Sequence, residues 1–127
     1  MIQFLKLLFH ISVLFLIIIS LSPGSLIGYL LYGDWTREPI LIENRFGTAI
    51  NHFIYYAYVS LLGFFLHLKT KNFNKLVMVM FFLCIILEIL HFVIPNRSFQ
   101  IVDLFANIFG VTVAYCAVRI YLFLGRS

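Results

Sequence analysis

The chain has 127 residues, of which 63% are hydrophobic, 18% aromatic and only 11% charged, with a net charge of +4 and a mean hydropathy of +1.05. A soluble domain carries a charged fraction of about 25%, so the composition excludes an ordinary soluble protein and points to one membrane-embedded domain over residues 1–127. The nine Lys and Arg residues lie mostly between apolar stretches, the pattern of a topology signal and not of a basic face for nucleic acid.

A crossing of the bilayer core takes about 20 apolar residues as helix, which leaves room for four. The first span is expected at about 5–21, ended by Pro23-Gly24. Its apolar run is long for the core of a secretory signal, and Ser-Leu-Ser-Pro-Gly-Ser makes a poor cleavage site, so a membrane span is expected there. The connection over 22–47 mixes Tyr29, Tyr32 and Trp35 with Asp34, Arg37, Glu38, Glu43 and Arg45, a composition suited to headgroup depth. Its apolar part, Leu26 to Leu31, is too short to cross.

The second span is expected at about 48–68, the third at about 76–94 with Pro95 closing it, and the fourth at about 101–124. The expected fold is an all-α, four-transmembrane-helix bundle. Orientation follows from the Lys and Arg distribution. With both termini cytoplasmic, Lys6, Lys69, Lys71, Lys75, Arg119 and Arg126 fall inside, and Arg37, Arg45 and Arg97 outside, which the positive-inside rule favours. Cys84 and Cys116 both fall mid-span and read as apolar filler.

Ionisable groups at membrane depth are costly, face the protein interior and mark functional sites by default. Glu88, His91, Arg97, Asp103 and Asn107 form such a group around the third loop. At a rise of about 1.5 Å per residue, His52 lies about 6 Å and Glu88 about 9 Å inside the outer ends of their spans. Asp103 and Asn107 occupy the first turns of the fourth span, so all these groups lie at matching depth. Helical phase puts His52, Tyr56, Gly63 and His67 on one face of the second span, and Cys84, Glu88 and His91 on one face of the third. On the fourth, Asp103, Asn107, Gly110, Ala114, Ala117 and Tyr121 share a stripe. Gly63, Gly110 and Ala114 read as packing positions that let helices approach closely.

The run Glu88…Pro95-x-Arg97…Asp103…Asn107-x-x-Gly110, preceded by His52-Phe53…Tyr56, resembles the VanZ-like membrane proteins over about 51–110. The chain departs from that pattern in two places. Ala49, Ile50 and Asn51 stand where an acidic residue and a Lys are frequent, and His91 stands where a Gln usually follows the Glu. The resemblance implies a small multi-pass protein of the bacterial cytoplasmic membrane linked to the cell envelope. Some members are associated with low-level teicoplanin resistance. No agreed reaction follows from it.

The polar cluster admits several chemistries. Glu88-x-x-His91 has the i, i+3 spacing of bundle metal sites, but a second such motif is missing, so no metal or other cofactor is expected. Glu88 can be read as a general acid or base and Arg97 as a phosphate holder, yet no nucleophile and no Gly-rich phosphate loop accompany them. The cluster can also be purely structural, with Asp103 pairing Arg97 and Glu88 bonding His52 or Asn107. The expected function is recognition of an envelope lipid or lipid-linked glycan in an outer-face pocket of His52, Tyr56, Glu88, His91, Arg97, Asp103 and Asn107. Its expected partners are membrane lipids, a lipid-linked cell-wall precursor or glycolipopeptide, and a membrane protein, with no nucleic acid. A membrane-embedded enzyme on a lipid-linked phosphate and a structural accessory subunit are the alternatives.

Overall fold

A computed structural model describes residues 1–42 and 47–125. Glu43, Arg45 and Arg126, counted above for charge, lie outside the described residues. Among the described residues the chain forms five helices and no strand: α1 (Ile2–Leu21), α2 (Leu26–Tyr32), α3 (Ala49–His67), α4 (Phe73–Leu90) and α5 (Ile101–Leu124). Four of them, α1, α3, α4 and α5, are long and apolar enough to cross a membrane.

Side-chain contacts fix the directions of the long helices. Phe9 meets His67 while Ser12 meets Tyr58, so α1 and α3 run antiparallel. His52 meets Asp103 and Phe65 meets Tyr121, so α3 and α5 run parallel. Phe73 meets Tyr115 while Glu88 meets Asn107, so α4 opposes α5. The order is therefore up, down, up, down, and both termini lie at one end of the bundle, here the terminal end. The opposite end is the distal end.

The closest pairing is α3 against α5. Gly110 permits it: a Cβ there would lie 2.6 Å from the Phe53 carbonyl oxygen and 2.9 Å from the Ala57 nitrogen. Both neighbours are backbone, so any side chain would hold the helices apart. Lipid supplies no hydrophobic drive between helices, and such close van der Waals contact takes its place. Gly63 does a related job by seating the Phe9 ring of α1. Tyr56, Val59, Phe64, Met80, Cys84, Val111, Ala114 and Val118 fill the centre.

The inner faces of α3 and α4 are those read from the sequence, and Ile54, Leu61 and Phe65 point outward. On α5 the buried stripe runs Asp103, Asn107, Gly110, Val111, Ala114 and Val118. Ala117 and Tyr121 are exposed instead, because a straight helix carries a seven-residue repeat gradually off the contact face.

The third span starts and ends earlier than the sequence predicts. Helix α4 stops at Leu90, and His91, Phe92 and Val93 tighten into successive i→i+3 hydrogen bonds. Two local causes act together: the residue before Pro95 is disfavoured in helix, and Asn96 takes a left-handed φ of 59°. Arg97 N–H donates to the Ile94 carbonyl, so Ile94-Pro95-Asn96-Arg97 has the Pro-then-Asn pattern of a type II turn. Glu88 consequently sits in the last turn of its helix.

The described part of the connection from α1 to α3 is tied to the distal end through Glu38, Pro39 and Leu41. The Ser25 hydroxyl caps α2 by accepting from Gly28 N–H at 3.0 Å, and Gly33 ends the helix with φ 70°. Ser25 N–H donates to the Trp35 carbonyl at 2.7 Å, and Tyr29 stacks on Trp35. Asp34 accepts from the Thr36 hydroxyl and N–H, which hold its carboxyl below the usual range.

Candidate functional site

The N-terminal turns of α3 and α5, the last turn of α4 and the two distal connections bring the predicted polar residues together. Glu88 is 1% exposed, and its carboxylate accepts from three donors. These are His91 Nδ1–H at 3.3 Å, Gln100 N–H at 3.2 Å and Asn107 Nδ2–H at 3.4 Å. Asn107 is also 1% exposed and bridges two helices with its amide. Its nitrogen serves Glu88 while its oxygen faces His52 Nδ1 at 3.1 Å. His52 Nε2 in turn faces Asp103 Oδ2 at 3.7 Å, beyond hydrogen-bond range.

The result is one polar chain across the bundle, ordered Asp103, His52, Asn107, Glu88, His91. Asn107 and Glu88, at its centre, are satisfied internally, as buried polar groups require. His91 Nε2 and, deeper in α3, Ser60 Oγ are buried without a partner among the described residues. With His52 Nδ1–H donating to Asn107, Nε2 is the ring atom turned to the Asp103 carboxylate.

Arg97 does not reach Asp103. Each of its three guanidinium nitrogens already has a protein acceptor: Glu38 Oε1 at 3.0 Å, the Ile19 carbonyl at 3.0 Å and the Ser22 carbonyl at 3.4 Å. It therefore ties the loop before α5 to the carbonyl end of α1, where a cation is favoured, and pins the α1–α3 connection through Glu38. Asn51 holds the same connection from the other side. Its amide oxygen accepts from Leu41 N–H at 3.1 Å, and its nitrogen donates to the Pro39 carbonyl at 2.6 Å.

Asn51 and Glu38 were not legible as site residues. Glu38 read only as one of several charges at headgroup depth. A polar residue in the first turn of a helix, one position before His52, was the available signal for Asn51. Tyr55 crosses to α1 and donates its phenol hydrogen to the Ser12 carbonyl at 3.2 Å.

Two adjoining cavities open at this end. The larger, about 210 Å³, lies between α1, α2 and α3 and is walled by Leu16, Ile19, Ile27, Leu31, Tyr55 and Tyr56. The smaller, about 90 Å³, is bordered by Ser25, Glu38, Thr48 and Arg97. Asn51 and His52 line both. His52 is thus the member of the polar chain that faces the cavities. Glu88, His91, Asp103 and Asn107 stand behind it and do not line either cavity. Among the described residues no three His, Cys, Asp or Glu side chains converge as metal ligands would.

A scan against family models matches the VanZ/LLP1 model over residues 7–123. Neither a search of curated proteins nor a search of solved structures returns a match. The family match takes in all four long helices, the α1–α3 connection and every residue of the polar chain. It extends well beyond the stretch from Asn51 to Gly110 in which the sequence motifs lie. The chain belongs to the VanZ/LLP1 family.

Proposed function

We propose that this protein recognises one cell-envelope amphiphile, a lipid-linked glycan or glycolipopeptide, at the distal end of the bundle, and that this end faces outward from a bacterial cytoplasmic membrane. The observation that carries the reading is the position of His52, which lines an apolar cavity and a polar one at once. Sites for small molecules are typically apolar with a few placed polar groups. A chain seated between α1 and α3 would leave its headgroup beside His52, Asn51 and Thr48.

The local charge balance selects among headgroups. Of the described distal carboxylates, Asp34, Glu38, Glu88 and Asp103, Glu38 borders a cavity, and Arg97 is held by Glu38 and two carbonyls. The cation that borders the smaller cavity, Arg97, is already engaged, so a bare phosphate would have to compete with those partners. A headgroup rich in hydroxyls or amines would meet the polar lining of the smaller cavity, Ser25, Glu38, Thr48, Asn51 and His52, and a site that hydrogen-bonds such groups discriminates for them. This favours the glycan over the phosphate as the recognised element, and binding over turnover on a lipid-linked phosphate. A link with teicoplanin follows from the same reading, since a glycolipopeptide joins a hydrocarbon chain to sugar hydroxyls.

Thermal unfolding in lipid nanodiscs tests it. The panel comprises a lipid-linked peptidoglycan precursor, undecaprenyl phosphate and the free glycan. The precursor is expected to raise the unfolding temperature and the other two to raise it little, with the shift lost in Leu16→Trp, which fills the apolar cavity. Equal shifts with precursor and undecaprenyl phosphate would reject glycan recognition, and no shift with any of them would reject the site.

A further inference from the structure

The terminal end carries a second groove that the distal site does not use. We propose that it binds one anionic phospholipid, with the headgroup at Lys75 and an acyl chain between α1 and α4.

The groove arises from the way α1 packs. Phe9 sits over Gly63, which draws α1 onto α3, and α1 touches α4 much less. The space left between α1 and α4 appears as two cavities of about 280 Å³ and 310 Å³, which share Phe9, His10, Leu76 and Val79. One is polar at its mouth, with His67, Asn72 and Lys75. The other is apolar and runs inward past Val13 to Ile17 on α1 and Leu83 on α4. From His10 to Ile17 the helix rises about 10 Å. That is most of one leaflet of a hydrocarbon core about 30 Å thick, so the groove has the depth and the polarity gradient of a single lipid.

Charge selects the headgroup. Lys6, Lys69, Lys71 and Lys75 gather at this end, while the described carboxylates, Asp34, Glu38, Glu88 and Asp103, all belong to the distal half. Lys75 has no carboxylate partner among the described residues. His67 and His10 each turn Nδ1 to a carbonyl of their own helix, Gly63 at 3.0 Å and Lys6 at 2.6 Å, which fixes how the rings edge the groove. A second copy of this chain in the same membrane orientation would set one lysine cluster against another, which disfavours it as the occupant. An anionic headgroup is drawn to such a cluster, at about 1 kcal/mol per Lys near the surface, or about fivefold in affinity.

Native mass spectrometry of protein released from nanodiscs reads the retained lipid directly. The probes are phosphatidylglycerol and phosphatidylcholine with the same acyl chains. One retained phosphatidylglycerol per protein is expected, preferred over phosphatidylcholine by about fivefold or more. Lys75→Gln should remove most of that preference and Val79→Trp should remove the retained lipid, whereas Lys71→Gln, outside the groove, should leave both unchanged. Circular dichroism and thermal unfolding establish that each variant is folded. Equal losses in Lys71→Gln and Lys75→Gln would reduce the effect to surface charge and overturn the site. So would no lipid preference, or a cross-linked protein dimer formed through a cysteine placed at Val79. The outcome is independent of the distal site.

Discussion

His52 owes its importance to its neighbours more than to its own chemistry. Asn107 holds it with the oxygen of its amide and holds Glu88 with the nitrogen, so a change at one member of the chain is felt along the rest. Glu88→Gln replaces an acceptor oxygen with an NH₂ group that faces donors. The substitution is expected to cost about 1–3 kcal/mol, read as a lower unfolding temperature without any ligand. His91→Gln keeps a donor toward Glu88 and should cost less than His91→Leu in the same assay. Rank order reversed between these two would show that the His91–Glu88 contact contributes little. Glu88, His91, Asp103 and Asn107 were legible because polar groups stand out in apolar spans. Asn51 and Glu38 were not, because their partners Leu41 and Arg97 lie 10 and 59 residues away along the chain. Only the folding of the connection brings those pairs together.

Among the elements, α3 and α5 carry the architecture and α1 is the adjustable one. Gly110→Ala pushes a methyl group against backbone atoms of α3, which cannot give without separating the helices. Gly63→Ala meets the end of the Phe9 ring, which can swing. Gly110→Ala is therefore expected to destabilise by about 1–3 kcal/mol and Gly63→Ala by less, measured by thermal unfolding in nanodiscs. The reverse order would contradict close α3–α5 contact as the main packing device. The four long helices were visible as apolar runs, whereas the end of α4 was not. Apolarity continues through Phe92, Val93 and Ile94, and the hydrogen-bond pattern changes under a turn set by Pro95 and Asn96. The short helix α2 was likewise hidden inside a connection, since seven residues give too little periodicity to declare themselves.

The whole molecule is polarised along its axis. Lysines collect with the termini, and the described carboxylates collect in the distal half. Four crossings place both termini on one side, and we propose from the Lys and Arg distribution that this side is cytoplasmic. Single cysteines introduced at Gln3 and at Thr36, in a background lacking Cys84 and Cys116, test this. An impermeant thiol reagent applied to intact cells is expected to label position 36 and to spare position 3, and the opposite pattern would invert the protein. In the proposed orientation the distal cavities would face the outer surface, which recognition of a lipid-linked glycan requires.

The binding isotherm of a lipid-linked peptidoglycan precursor for wild type and His52→Leu in nanodiscs tests that recognition most directly. Removing a polar contact that the headgroup uses costs about 1–3 kcal/mol, so the account predicts saturable binding by wild type and affinity weakened by about 5- to 150-fold in His52→Leu. Equal affinity for the two proteins, with both folded, would contradict it.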